Sequence, residues 1–129
     1  MSRQPIYSAE APAVLGPYSQ AIDADPYVYL AGQTPVDPAT GELVEGGIEV
    51  QTNQVFDNLL MVLTAAGLTA DDVVKVNAYL TDMPNDFAIM NAVYKTKFAE
   101  PYPARTTVGV AALPYGAKVE IELVARRPQ

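Results

Sequence analysis

An α+β fold, with two helices covering one face of a mixed sheet, is the architecture this sequence predicts. Three observations carry it. Two segments, 48–66 and about 85–98, repeat apolar residues at three- and four-residue steps, the period of an amphipathic helix. Five shorter runs read as strands between clusters of proline, glycine and aspartate. Their order is hairpin, helix, strand, helix, hairpin, which segregates helices from strand pairs as α+β folds do. The 129 residues form one domain, 1–129, with no internal repeat or linker.

The first strand runs, SQAIDA and YVYLAG, are split by Asp25-Pro26, a hairpin spacing. Val28 and Leu30 fall on one face of the second run and Tyr27, Tyr29 and Ala31 on the other. Both faces are therefore apolar or small. Two helices cover only one of them, so the other face is expected to pack on further subunits. The turn-rich TPVDPATGELVEGG follows at 34–47. Its Asp37 and Glu42 do not match the spacing of a calcium loop, and it is read as solvated.

From 48 to 66 the stripe Ile48, Val55, Leu59, Val62, Leu63 and Ala66 predicts a helix buried on one side. Gly67 stands where a helix favours a left-handed residue, and Leu68 supplies the apolar contact beyond it. Thr69 and Asp72 have the spacing of a capping pair, and VVKVNAYL at 73–80 is a strand. The second helix is placed from a cap at Asn85 or Asp86 to about Phe98, with Phe87, Met90, Tyr94 and Phe98 inward. Asn91 lies near that stripe, which calls for a partner to its amide. ARTTVGV and KVEIELVA close the chain as strands joined by the loop ALPYGA.

Composition narrows the chemistry. The chain has no cysteine and no histidine, which removes thiolate nucleophiles, Ser–His and Cys–His activation, and the usual transition-metal ligands. What remains is carboxylates, Lys, Arg, Tyr, hydroxyls, backbone groups and water. The net charge of −7 disfavours nucleic acid and anionic lipid, which need clustered basic residues. MSRQPIYSAEAPAVLGPY lacks the unbroken apolar run of a signal peptide, and no stretch is long and apolar enough for a membrane helix. A cytoplasmic protein is expected.

Of four arginines, Arg3, Arg126 and Arg127 lie near the ends, while Arg105 sits in YPARTTVGV, where a proline-rich loop becomes a strand. Alternation puts Arg105, Thr107 and Gly109 on one face of that strand, and Lys118, Glu120 and Glu122 on one face of the next. Paired as a hairpin with polar faces aligned, the two strands would bring Arg105 and Glu120 together. An ordinary ion pair tying two strands is one reading. The other is an arginine fork holding a substrate carboxylate, with Glu120 positioning or activating water. Residue chemistry leaves both open.

The segments APAVLGPYSQAI, LAGQTPVDPATGEL, QTNQVFDNLLMVLTAAG, DVVKVNAYLTDMPNDFAIMNAVYKTKF and PARTTVGVAALPYGAKVEIELVA together resemble the RidA (reactive intermediate deaminase, YjgF) family over nearly the whole chain. The resemblance implies a homotrimer of chorismate-mutase-like fold, with helices outside, sheets facing inward and pockets between subunits. It implies cofactor-free, metal-free hydrolysis of 2-imino acids, formed from enamines such as 2-aminoacrylate that escape pyridoxal-phosphate enzymes, to 2-keto acids and ammonia. Arg105 then matches the carboxylate-binding arginine, Glu120 the water-orienting carboxylate, and Tyr18 in GPY a pocket tyrosine. Asn91 matches a supporting asparagine. Thr107 stands where better-known members carry cysteine, at a contact attributed to the backbone carbonyl. Ala31 and Gly32 of LAGQ belong to the pocket, with Ala31 where a serine is common. Rival expectations are a keto-acid or amino-acid binding trimer without turnover, RNA cleavage or translation inhibition, and a chaperone-like surface.

Overall fold

The computed structural model describes residues 3–129. The strands are Gln4–Ile6 (β1), Ala21–Ala24 (β2), Tyr27–Gln33 (β3), Val36–Asp37 (β4) and Glu42–Leu43 (β5). The helix Ile48–Ala65 (α1) leads to Val73–Leu80 (β6), the helix Met83–Lys95 (α2), Ala104–Gly109 (β7) and Val119–Arg126 (β8). Six strands form one sheet in the order β1-β2-β3-β8-β6-β7, and β4–β5 is a small separate hairpin inside the turn-rich loop.

β2 and β3 pair antiparallel across the Asp25-Pro26 turn, as their spacing predicts. The closing strands do not form a hairpin. β8 pairs antiparallel with both β3 and β6, while β7 runs parallel to β6 at the sheet edge. The burial of β8 gives the reason. Its inward row Val119, Ile121, Leu123 and Ala125 is fully covered, whereas β7 has no buried residue. Between β3 and β6 that row lies under α1 in the middle of the core, a burial worth about 1.5–3 kcal/mol for each large aliphatic side chain. An edge position beside β7 would leave it at the periphery. β3 and β6 therefore run parallel with α1 as their crossover, and β6 and β7 are joined by α2 in the same way.

Both helices lie on one face of the sheet, α1 over β3 and β8 and α2 beside it over β6. Val55, Phe56, Leu59, Val62 and Leu63 of α1 meet Val28, Leu30, Val76, Ile121 and Leu123 in one buried cluster. Phe56, Tyr94 and Phe98 join the two helices, with ring centroids 4.9–6.0 Å apart. α1 ends as its sequence predicts. Gly67 adopts φ +77°, its N–H donates to Thr64 O, and the N–H of Leu68 donates to Leu63 O at 2.9 Å. Thr69 and Asp72 form the predicted capping box on the 3-10 turn Ala70–Asp72.

α2 starts earlier and stops earlier than its apolar stripe suggests. Asp82 flanks it, Pro84 occupies the first turn, where its fixed φ is suited to helix entry, and Asn85 donates to Asp82 Oδ2 at 2.9 Å instead of capping. Its last residue is Lys95, after which Thr96 Oγ1 donates back to Val93 O at 2.6 Å. The loop after β3 is pinned by Asn58, fully buried on α1, whose Nδ2 donates to Thr34 O at 3.2 Å and Val36 O at 2.9 Å. No helix among the described residues is long and apolar enough to cross a membrane. The face away from the helices carries Tyr27, Tyr29 and Val108, all exposed.

Candidate active site

The sheet register decides where the predicted residues go. Arg105 is level with Val76, and Glu120 is level with Tyr79, three residues further along β6. An odd offset on one strand means opposite faces. Arg105 and Thr107 thus point to the helix side at the β7 edge, while Glu120 points to the uncovered side. The expected meeting of Arg105 and Glu120 within one chain does not occur, because β6 separates their strands and their faces differ.

On the helix side α2 shapes the surroundings of Arg105. Its Nη1 donates to Asn91 Oδ1 at 2.7 Å, the partner that the sequence asks for. The guanidinium carbon lies 4.5 Å from the Tyr94 ring centroid and 5.7 Å from that of Phe87. At that distance the guanidinium charge is held against the Tyr94 ring as a cation–π pair. Among the described residues the ion pairs are those of Arg127 with Asp23 and Asp25, so Arg105 has no carboxylate within 4.0 Å. It faces a cavity of about 380 Å³ with Asn91, Tyr94, Lys95, Tyr102 and Pro103. Burial pushes the Tyr94 phenol above its ordinary value, and the Arg105 charge pulls it partly back. The Thr107 hydroxyl is buried without a partner.

On the other face a cavity of about 420 Å³ gathers Tyr18, Ala31, Gly32 and Glu120 with Leu15, Thr34, Pro114 and Tyr115. Gly32 gives the Glu120 carboxyl its place: a β-carbon there would stand 3.0 Å from the carboxyl carbon. Burial raises the Glu120 carboxyl above its ordinary value, and the negative charge of Glu122 raises it further. Glu122, two residues on and on the same face, has Oε2 accepting from Asn77 Nδ2 and Tyr79 Oη, each at 3.0 Å. The Tyr79 phenol is raised by burial first, then by its bond to Glu122 and by the charges of Glu122 and Glu120.

The structure therefore gathers the predicted residues into two sets, Arg105, Asn91 and Thr107 on one face and Glu120, Tyr18, Ala31 and Gly32 on the other. Sequence reasoning misses Tyr94 as the platform of Arg105, although it lies three residues after Asn91 on the same helix. It also misses Tyr102 and Tyr115. Tyr102 lies immediately ahead of the PAR motif, and a tyrosine in the turn sequence PYG is a visible signal.

The chain matches the family model described as Endoribonuclease L-PSP over residues 8–127. It is 46% identical to the 2-iminobutanoate/2-iminopropanoate deaminase of Mus musculus over 123 residues, 95% of this chain and 90% of that one. Among solved structures, RidA from Psychrobacter sp. PAMC 21119 superposes with a TM-score of 0.91 at 48% identity, covering 95% of this chain and 98% of that one. Escherichia coli TdcF, solved with bound serine, gives a TM-score of 0.91 at 40% identity, covering 97% and 99%.

Proposed function

The chain belongs to the RidA/YjgF (Endoribonuclease L-PSP) family, and from that premise we propose that it hydrolyses reactive 2-imino acids to 2-keto acids and ammonia. The observation that carries the reading is the state of Arg105. A charged fork, steadied by Asn91 and set over the Tyr94 ring, opens on a cavity with no carboxylate within 4.0 Å among the described residues to neutralise it. That is a site prepared for a ligand carboxylate. The names of the relatives agree with this chemistry: one is a 2-iminobutanoate/2-iminopropanoate deaminase, and another was solved with an amino acid bound.

Arg105 holds the substrate carboxylate, and the Thr107 backbone carbonyl accepts from the imine nitrogen. Glu120 takes a proton from water as its oxygen bonds to the protonated imine carbon, giving a carbinolamine. The same carboxyl returns that proton to nitrogen, the C–N bond breaks, and the hydroxyl proton leaves with ammonia as ammonium. Water plus iminium thus becomes ketone plus ammonium, with charge conserved. A raised carboxyl suits both halves, since its carboxylate is a stronger base than an ordinary one and its acid form can still return the proton. The electrophile is already charged, so positioning and electrostatics suffice without cofactor or metal.

Because Arg105 and Glu120 lie on opposite faces, one substrate meets both only across a contact between copies. Arg105 on the β7 edge of one copy fits against the uncovered face carrying Glu120 and Tyr18 of the next. A head-to-tail contact of this kind closes into a ring when its repeated rotation completes a full turn. We place the chain, as one domain, in a homotrimer of chorismate-mutase-like fold, sheets inward, in the cytoplasm. Tyr18 lines the shared pocket with Ala31 and Gly32. The test is release of ammonia and keto acid from fresh 2-iminopropanoate by the native protein, Arg105→Ala and Glu120→Gln. Acceleration over the spontaneous reaction that is lost in both variants supports the reading. A native protein that accelerates neither this substrate nor longer imino acids overturns it.

A further inference from the structure

Tyr115 is the one non-glycine residue with positive φ among the described residues, at φ +64° and ψ +10°. It stands in the 3-10 turn Pro114–Gly116, where Gly116 is also left-handed at φ +71°. A residue with a β-carbon is disfavoured there, and such conformations persist where the surroundings or the function hold them. The turn sets the Tyr115 side chain on the wall of the Glu120 cavity, where it remains 57% exposed.

That wall separates two spaces. The Glu120 cavity of about 420 Å³ adjoins an annex of about 130 Å³, and Leu15, Tyr18, Gly32, Thr34 and Tyr115 line both. The annex continues among Pro12, Val14 and Val36, with Gln20 and Gln33 as its polar lining, and its volume is many times the roughly 10–15 Å³ that one water needs. Leu15 and Tyr18 are 75% and 55% exposed, so three large side chains surround one concavity beside a half-buried carboxylate. Apolar lining around a few placed polar groups is the make-up of a small-molecule pocket.

We propose that the annex is a side-chain subsite for apolar 2-imino acids, walled by Tyr115 as its specificity-determining residue. The inference rests on the deaminase reading and adds to it the class of substrate side chain. With the carboxylate held by Arg105 of a neighbouring copy and water placed by Glu120, the side chain on the imine carbon is left to run along this wall. Its apolar atoms leave water against Leu15 and Tyr115 and enter the annex.

The test compares kcat/KM for 4-methyl-2-iminopentanoate and 2-iminopropanoate in the native protein, Tyr115→Gly and Tyr115→Asn. Glycine and asparagine both tolerate the left-handed backbone, so the turn survives either change. The expected result is a branched-to-small ratio at least about tenfold lower in both variants, the scale of lost apolar contact in a pocket. Binding of 4-methyl-2-oxopentanoate, measured by calorimetry, is expected to weaken about tenfold relative to pyruvate. An unchanged ratio in both variants, equal weakening of both keto acids, or a native enzyme that turns over only the small substrate would each overturn the subsite. If the native protein accelerates neither imine, the deaminase reading falls, and the keto-acid binding alone decides the subsite.

Discussion

Arg105 and Glu120 stand on opposite faces of one six-stranded sheet, with β6 between their strands. If each site takes its arginine from one copy and its carboxylate from the next, two inactive variants must rescue one another. Arg105→Ala and Glu120→Gln, each inactive alone, are expected to regain activity when co-expressed or refolded together. In a closed ring assembled at random from equal amounts, about one site in four pairs an intact arginine with an intact glutamate. Recovery near a quarter of native turnover is the expected reading. A refolded mixture as inactive as its parts would sink the shared site.

Asn91 is the hydrogen-bond partner that fixes the orientation of the Arg105 fork. Asn91→Ala removes the acceptor and leaves the stacking on Tyr94 in place, so the charge stays while its aim loosens. A fall of about five- to twentyfold in kcat/KM is expected, mostly through KM, since a hydrogen bond to a charged group contributes about 1.5–3 kcal/mol in part to positioning. Asn91→Asp should be worse, because a carboxylate in that position would occupy the fork that the substrate needs. Steady-state kinetics on 2-iminopropanoate separate the cases. An Asn91→Asp variant with native KM would show that Arg105 does not hold the substrate carboxylate.

Much of this architecture is legible in the amino-acid sequence. Periodicity places both helices, Gly67 and Leu68 mark the end of α1, and alternation sorts β3 into its buried and exposed rows. Pairing is not legible. Nothing local in KVEIELVA says that it enters between β3 and β6 and not beside β7. That choice is made by burial of Val119, Ile121, Leu123 and Ala125 under α1, a long-range effect. The same blindness sets Arg105 beside Glu120. Strand alternation assigns each residue correctly to a face of its own strand but cannot say how those faces align across the sheet. Asn91 stands out because a polar side chain on an apolar stripe needs a partner. Tyr115 stands in a recognisable PYG turn, but nothing in that turn sequence says that its backbone is left-handed or that it lies on the wall of the Glu120 cavity.

The pair Glu120 and Glu122 predicts a pH effect with a definite sign. Burial and the Glu122 charge both raise the Glu120 carboxyl, so its basic form develops at higher pH than that of an ordinary glutamate. Activity that needs that form should therefore fall off on the acid side earlier than an unperturbed carboxylate would allow. Glu122→Gln removes the charge and keeps an oxygen that accepts from Asn77 and Tyr79. The Glu120 carboxyl then moves downward, and the acid limb of kcat/KM against pH moves to lower pH. Turnover at the optimum is expected to stay within about tenfold of native. An acid limb that does not move, or moves upward, would show that Glu120 is not the group read by the profile.

Gly32 predicts the separation of folding from activity. A β-carbon at this position would stand 3.0 Å from the Glu120 carboxyl carbon and 3.2 Å from its Cγ, both atoms of a flexible side chain beside an open cavity. The backbone of Gly32 is not left-handed, so alanine fits the strand itself. In Gly32→Ala the chain is expected to relieve the contact by turning Glu120 away rather than by moving β3. The melting temperature should then stay close to native while kcat/KM falls at least tenfold and up to about a hundredfold, the lower end of what a positioned general base contributes. Glu120→Gln in the same background should add little further loss, because the carboxyl it removes is already out of place. If Gly32→Ala folds normally and keeps native activity, the carboxyl does its work from some other position, and the pocket drawn around Gly32, Tyr18 and Glu120 is not the one in which water meets the imine.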